Sequence, residues 1–165
     1  MKKVILLIVL LSLYGCGFVY ERQITGNYYL IATDVMEDLA VCYRDSPDTY
    51  ATIGGSGVYE VGNDEHFILT KKYKEVPKPG RDSLFTTYDK SITEYCIIPI
   101  DNTQKWNATE NYFILPTKKE FEAKRKELGV SDKTTFTISF KKSHERSGKP
   151  HWLKFLLKLY HDNKD

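Results

Sequence analysis

The sequence predicts an α+β fold, in which a single small domain combines an antiparallel β-sheet with one short helix and a C-terminal helix. Runs of aromatic and β-branched residues, separated by short turn sequences, fill the segment before residue 101 and are typical of antiparallel hairpins. A capping motif at Thr117 and an apolar stripe with helical spacing after residue 150 predict the two helices. The predicted domain, residues 26–165, has a length that suits one hydrophobic core.

Five segments before residue 101 have the composition of β-strands. They are 27–33, 38–43, 58–61, 66–73 and 93–100, and the turn Gly62-Asn63-Asp64 joins the third to the fourth. The passage 75–83 is polar and rich in proline and glycine, so we expect an exposed loop there. Residues 135–140 alternate polar and apolar side chains and are predicted to complete the sheet.

Helical signals occur in two later segments. Thr117 and Glu120 form a capping box and Gly129 suits a left-handed helix end, so we predict a helix over 118–128. After a break at 143–150, the segment 151–161 repeats apolar residues at i, i+3, i+4, i+7 and i+8, which predicts a second helix packed on the sheet. Contact of its lysines with anionic lipid headgroups is the alternative interpretation. The apolar positions are Trp152, Phe155, Leu156, Leu159 and Tyr160.

The first fifteen residues have the features of a secretory signal peptide. Lys2 and Lys3 precede an apolar run at 4–13, which is about half of the ~20 residues that a membrane-spanning helix needs. We therefore expect residues 1–15 to be removed and residues 16–25 to form a short tether in front of the domain.

The residues around Cys16 resemble the lipobox of bacterial lipoproteins. Leu13, Gly15 and Cys16 match its pattern, while Tyr14 departs from it. The resemblance implies cleavage between Gly15 and Cys16 and attachment of diacylglycerol to the Cys16 thiol, so that membrane lipid is the partner of this residue. It also implies a lipid-anchored location in the outer membrane, facing the periplasm, of a Gram-negative host or on the outer face of the cell membrane of a Gram-positive host.

The second half of the chain is similar to a group of small bacterial lipoproteins classed only as a domain of unknown function. The similarity joins the strand around residues 95–98 to the helix that ends at Gly129, and Pro116 departs from its pattern. It implies no activity, cofactor or catalytic residue. The matching positions are Tyr95, Ile97, Ile98, Leu115, Phe121, Arg125, Lys126, Glu127, Leu128 and Gly129.

Two cysteines remain once Cys16 is assigned to lipid attachment. Cys42 and Cys96 lie in apolar, strand-like segments of a chain that is predicted to reach a compartment where disulfides form. A disulfide between them and two buried free thiols are equally plain interpretations, because the sequence does not give the distance between their Cα atoms.

The sequence carries no motif for catalysis or metal binding. Ser56 lies in a glycine-rich stretch whose spacing fits neither a nucleophile elbow nor a dinucleotide fingerprint, so we expect a turn or bulge. The four histidines lack zinc spacing, and we expect no metal and no cofactor. Removal of the leader takes away two of 24 basic residues and none of 22 acidic residues, and the resulting balance of charge argues against a nucleic-acid partner.

These observations favour a membrane-anchored, non-enzymatic binding or interaction domain of the bacterial cell envelope. Its partner would be an envelope protein or a component of the cell wall. One alternative is a small envelope hydrolase that uses His66 with Asp64. The other alternative is a structural envelope protein that binds peptidoglycan.

Overall fold

Two antiparallel sheets, packed face to face, form the framework of the computed structural model. The structure describes residues 18–47, 49–80, 86–100 and 112–146. The first sheet has four strands in sequence order, so each strand pairs with the next along the chain. Its strands are β1 (Tyr20–Thr25), β2 (Tyr28–Ala32), β3 (Ala40–Ser46) and β4 (Thr49–Ile53), with a short 3-10 turn at Met36–Asp38 between β2 and β3.

The second sheet has five strands in the order β8-β7-β6-β5-β9. Its strands are β5 (Val58–Asn63), β6 (Phe67–Pro77), β7 (Thr86–Pro99), β8 (Phe113–Leu115) and β9 (Ile138–Ser139). β6 and β7 form a long hairpin in which Lys71 lies opposite Tyr95 and Lys72 lies opposite Glu94. This register places Lys71 and Tyr95 on one face of the sheet and Lys72 and Glu94 on the other.

The main core lies between the two sheets, because alternate residues of each strand point inward. Leu30, Val41 and Ile68 in this core are fully buried. Burial of this apolar surface is the main contribution to the stability of the fold. The buried members are Tyr28, Leu30, Ala32, Leu39, Val41, Tyr43, Ile53, Val58, Val61, Ile68, Cys96, Ile98 and Phe140.

A second core lies on the opposite face of the second sheet, where helix α1 (Lys118–Leu128) packs. Phe121 is the buried residue of the helix and contacts the face that carries Leu69 and Ile97. The Thr117 cap and the Gly129 end are confirmed, since Thr117 accepts a hydrogen bond from the Glu120 amide and Gly129 adopts a left-handed conformation with φ 71°. The Glu120 carboxylate accepts from the Thr117 hydroxyl, whereas a capping box would have it accept from the Thr117 amide. A short helix, α2 (Lys141–Arg146), follows β9.

The structure corrects the start of the domain. Residues 20–25 were expected in the tether, but they form β1, which pairs with β2 from Tyr20 opposite Ala32 onward. Tyr20 and Ile24 pack against the main core, while the three polar residues between them are exposed. An edge strand tolerates such polar residues, and for that reason its sequence lacks a strong strand signal.

The α+β prediction holds at the coarse level, since the described part of the chain is mostly β with short helices. The single predicted sheet is wrong, because β1 to β4 and β5 to β9 form separate sheets. Strand pairing in the segment 135–140 is limited to Ile138–Ser139, and α2 (Lys141–Arg146) extends into the predicted break at 143–150. The leader 1–15, Cys16 and the predicted helix 151–161 lie outside the described residues. Within the described ranges, none of the helices has the length and apolar character to cross a membrane.

Candidate binding pocket

A pocket of about 270 Å³ opens between α1 and the face of the second sheet that carries this helix. Strands β6 and β7 supply its base, α1 supplies one wall, and the segment after the helix supplies the other. The lining residues are Lys71, Tyr95, Lys118, Phe121, Glu122, Arg125, Thr134, Thr135 and Phe136. The pocket therefore combines aromatic surface with charged groups of both signs.

Three aromatic rings form the apolar part of the pocket. Tyr95 and Phe121 stack with ring centroids 4.9 Å apart, and Phe121 and Phe136 stack at 6.1 Å. The helix cap determines the position of Phe121, because it fixes the first turn of α1 above β7. Phe121 is 1% exposed between its two neighbours, so the partly exposed rings of Tyr95 and Phe136 supply the aromatic surface that a planar or apolar group could contact.

Positive charge predominates among the described lining residues, since they include Lys71, Lys118 and Arg125 but a single carboxylate, Glu122. Lys71 Nζ lies 2.5 Å from a Glu60 carboxylate oxygen and 4.2 Å from the centroid of the Phe136 ring. Lys141 Nζ lies 3.4 Å from the other Glu60 oxygen. Two lysines thus share Glu60, and the surroundings of the pocket keep an excess of positive charge.

Arg125 stabilises the segment after α1 that forms one wall of the pocket. Its Nη2 atom donates hydrogen bonds to the Ser131 carbonyl at 2.8 Å and to the Thr134 carbonyl at 3.1 Å. Its Nη1 atom lies 3.6 Å from a Glu122 carboxylate oxygen, and Nε is buried with no hydrogen-bond partner among the described residues. Arg125 therefore has a structural role in addition to its contribution of charge.

Asp64, a member of the hydrolase pair considered from the sequence, closes the turn between β5 and β6. Its Oδ1 atom accepts from the amides of His66 and Phe67, each at 2.8 Å, and Oδ2 accepts from the Thr134 hydroxyl. Burial opposes ionisation, but these hydrogen bonds outweigh it and lower the pKa of Asp64. The described contact between Asp64 and His66 thus involves the backbone amide of His66, whose side chain is exposed.

The glycine-rich stretch at residues 54–57 crosses between the two sheets in close contact with β6 and β7. Gly54, Gly55 and Gly57 all have positive φ. A Cβ atom on Gly55 would lie 2.9 Å from Lys72 Nζ, and one on Gly57 would lie 2.8 Å from the Tyr88 ring. The backbone conformation favours glycine at all three positions, and at Gly57 the Tyr88 ring also leaves no space for a side chain, which supports a structural role for the stretch.

Ser56, in the same stretch, belongs to a hydrogen-bond group around Tyr88. The Tyr88 hydroxyl lies 2.8 Å from Ser56 Oγ and 3.0 Å from an Asp38 carboxylate oxygen. Burial, with the Asp38 carboxylate beside it, raises the pKa of Tyr88 to about 12. Tyr88 is therefore protonated at neutral pH and links the stretch to the 3-10 turn.

Cys42 and Cys96 are both free and buried in the structure. Cys96 belongs to the main core, whereas Cys42 belongs to a cluster with Ile31 and Ala40 on the opposite face of the first sheet. The first sheet thus separates the two side chains. Burial raises the pKa of Cys96 to about 12, so its thiol is protonated at neutral pH.

Among the described residues, no group of three or more His, Cys, Asp or Glu side chains is placed to bind a metal ion. His144 is buried at 1% exposure in α2 and packs 5.7 Å from the Tyr73 ring. Burial lowers the pKa of His144, which favours its neutral form.

The fold and the pocket define a small, mostly β domain of two packed antiparallel sheets with a helix on the outer face of the second. A family model described as "Protein of unknown function (DUF3997)" matches residues 25–143, and the chain belongs to this family. The match includes all the residues that line the pocket. No curated protein and no solved structure matches the chain.

Proposed function

We propose that this protein is a lipid-anchored, non-enzymatic binding domain of the bacterial cell envelope, and that its pocket takes a small organic anion. One observation carries the proposal, namely the pocket in which three cationic side chains surround stacked aromatic rings. The lipobox residues Leu13, Gly15 and Cys16 support the location.

The chemistry of the pocket suits a planar or apolar group that carries a carboxylate. The partly exposed rings of Tyr95 and Phe136 can pack on the body of such a ligand. Lys71 and Lys118 can contribute charge-assisted hydrogen bonds to its carboxylate. The volume of about 270 Å³ is at the small end for ligand pockets, so the pocket suits a small molecule or the terminal group of a larger one.

An NMR titration with three isosteric ring compounds tests the pocket directly. Benzoate, benzamide and benzamidine have similar shape but are negative, neutral and positive. We expect benzoate to shift the amide signals of Glu122, Thr134 and Phe136 at lower concentration than the other two compounds do. Equal shifts with all three compounds, or tighter binding of benzamidine, would contradict the assignment of an anion site.

Two neighbouring lysines on α1 supply a matched pair of variants. Lys118 lines the pocket, whereas Lys119 is not among the lining residues, and both are exposed. We expect Lys118→Gln to weaken benzoate binding about two- to fivefold, because an exposed pair of opposite charges contributes little binding free energy. We expect Lys119→Gln to leave benzoate binding unchanged. An equal loss in both variants would show that the effect comes from the overall charge of the protein.

The hydrolase alternative predicts a different result in a separate assay. Asp64 accepts two hydrogen bonds that close a turn and a third from the distant Thr134 hydroxyl, so its carboxylate oxygens already have structural partners. A hydrolase screen on the full chain would overturn the binding proposal if it found turnover that His66→Ala abolished.

A further inference from the structure

The first sheet has an outer face, which we define as the side turned away from the second sheet. Ile31, Ala40 and Cys42 lie on this face with exposures of 4%, 4% and 5%, and the half-buried rings of Tyr29 and Tyr50 pack against them. The two rings meet edge to face at 5.8 Å. The outer face is therefore an apolar layer with tyrosines at its surface.

Phe18 lies on the same outer face, although it precedes β1 in the chain. Its ring packs edge to face on Tyr50 of β4, with centroids 5.5 Å apart. β1 and β4 are opposite edges of the first sheet, and the Tyr50 side chain extends across the outer face towards β1, since its hydroxyl also donates to a Glu21 carboxylate oxygen at 2.9 Å. Phe18 and Val19 nevertheless remain 43% and 53% exposed.

The position of Phe18 constrains the site of lipid attachment. Only Gly17 separates Phe18 from Cys16, and consecutive Cα atoms are about 3.8 Å apart. The Cα atom of Cys16 thus lies within about 8 Å of that of Phe18. Acyl chains on Cys16 would leave the protein next to the outer face, far from the helix α1 on the other side of the second sheet.

We infer that the outer face of the first sheet rests on the lipid headgroup layer of the membrane that holds the acyl chains, with Phe18, Tyr29 and Tyr50 at the interface. The inference rests on the proposed lipidation of Cys16. Tyrosine is enriched at membrane surfaces because its ring is apolar and its hydroxyl is polar. Phe18 and Val19 supply exposed apolar surface at the point where the chain approaches the bilayer.

Charge on the outer face is nearly balanced. Arg44 lies over the rings of Tyr29 and Tyr50, at 5.7 and 5.5 Å from their centroids. The Tyr50 hydroxyl donates to a Glu21 carboxylate oxygen at 2.9 Å. Arg44 and Glu21 offset each other, so the contact depends on the aromatic residues and we expect little dependence on anionic lipid.

This orientation directs the pocket away from the membrane. The pocket lies on the far face of the second sheet, and the main core and the first sheet separate it from the outer face. A ligand in the surrounding compartment would therefore reach the pocket without crossing the headgroup layer.

Paramagnetic relaxation in a bilayer tests the orientation. The acylated full chain, with labelled isoleucine and valine methyl groups, is placed in phosphatidylcholine nanodiscs that contain a gadolinium-chelating lipid. We expect loss of methyl signal at Val19 and Ile31, while Ile114 and Val130, on the side of the second sheet, keep theirs. The same pattern is expected after addition of phosphatidylglycerol.

A matched pair of variants tests the role of Phe18. Phe18 and Ile114 are similarly exposed, at 43% and 44%, but Ile114 lies in the edge strand β8 of the second sheet. Phe18→Ser should reduce the signal loss at Ile31, and Ile114→Ser should not. Equal effects of the two variants would contradict the inference.

The outcomes separate this inference from the proposed function. Signal loss at Ile114 and Val130 equal to that at Val19 and Ile31 would overturn the orientation, and so would intact methyl signals throughout an acylated, nanodisc-bound chain. A second copy or another segment of the chain covering the outer face would give that last result. A chain that is not acylated at Cys16 would contradict the proposed function, and the orientation would be rejected with it.

Discussion

Glycine residues between the sheets show how a single side-chain atom limits the sequence of this fold. Gly57 has φ 84°, and a Cβ there would meet the Tyr88 ring and the Tyr73 carbonyl. Gly80 also has a positive φ, of 72°, but no described atom lies within 4 Å of its Cβ position. A substitution at Gly80 therefore measures the free-energy cost of the backbone conformation alone. A substitution at Gly57 adds the cost of the steric clash.

Alanine substitutions at these two glycines have different expected costs. Gly80→Ala should cost about 1 kcal/mol in free energy of unfolding, because only the left-handed conformation is penalised. Gly57→Ala should cost about 2–4 kcal/mol, because Tyr88 must also move. Urea unfolding of both variants checks this, and a Gly57→Ala protein no less stable than Gly80→Ala would contradict the structural role of Gly57.

Acid sensitivity should depend in part on Asp64. Its pKa is lowered in the folded state, so its stabilising contribution is fully present above the unfolded pKa of about 4 and is lost as the pH falls through the folded value. Asp64→Asn should lower the free energy of unfolding by about 1 kcal/mol at pH 7, and the difference from wild type should shrink below about pH 4.

Measurement of urea unfolding across pH checks the Asp64 prediction. Glu65→Gln, at an exposed neighbouring position, serves as the control. A difference between wild type and Asp64→Asn that stays constant from pH 7 to about pH 3 would show that the carboxylate of Asp64 does not act by linkage.

The two buried thiols lead to a simple chemical expectation. In Cys16→Ser protein, Cys42 and Cys96 should react slowly with a thiol reagent in the folded state, because their exposures are 5% and 1%. After unfolding without reductant, both should react. Two thiols that appear only after addition of a reductant would instead show a disulfide.

Among the elements, helix α1 is the best example of a structure that local sequence specifies. Thr117 Oγ1 accepts from the Glu120 amide at 3.2 Å and donates to a Glu120 carboxylate oxygen at 2.7 Å. Each of these contacts lies within three residues, so the motif could be identified without knowledge of the sheets. The predicted bounds, 118–128, match the observed helix.

Removal of the cap should loosen the wall of the pocket. Thr117→Ala should cost about 1 kcal/mol in free energy of unfolding and should weaken benzoate binding, because the first turn of α1 positions Phe121. Thermal unfolding and the NMR titration measure the two effects. Thr117→Ser keeps the hydroxyl and should retain stability, so an equal loss in both variants would contradict the cap as the cause.

The strands that the sequence did not predict are edge strands of their sheets. β1 and β4 are the edges of the first sheet, and β8 is an edge of the second. Each has side chains that are partly exposed, and β8 has only three residues. An edge strand has one neighbour and keeps polar, partly exposed side chains, so propensity and alternation within these segments are insufficient to predict them.

At the scale of the whole molecule, the division into two sheets and the pocket could not be predicted from local patterns. Both sheets contain the same type of alternating strand, and the glycine-rich stretch that leads from β4 to β5 looks like an ordinary turn. The pocket needs the register that places Lys71 opposite Tyr95 and the packing of α1 above them. These contacts join residues far apart in sequence.

The layered arrangement relates the two proposals to each other. The outer face of the first sheet, the main core, the second sheet and the pocket follow one another across the molecule. The proposed lipid anchor beside the first layer would therefore place the pocket on the side that faces the surrounding compartment. This geometry suits a binding domain held at a membrane surface.

Metabolic labelling with palmitate tests the central claim, lipid anchoring at Cys16, most directly. The full chain, Cys16→Ser and Cys42→Ser are each expressed in a bacterial host with labelled palmitate and recovered from membrane and soluble fractions. We expect label and membrane location in the wild type and in Cys42→Ser, and neither label nor lipoprotein maturation in Cys16→Ser. A Cys16→Ser chain that still incorporates palmitate, or a cleanly processed, unacylated wild-type protein in the soluble fraction, would contradict the account.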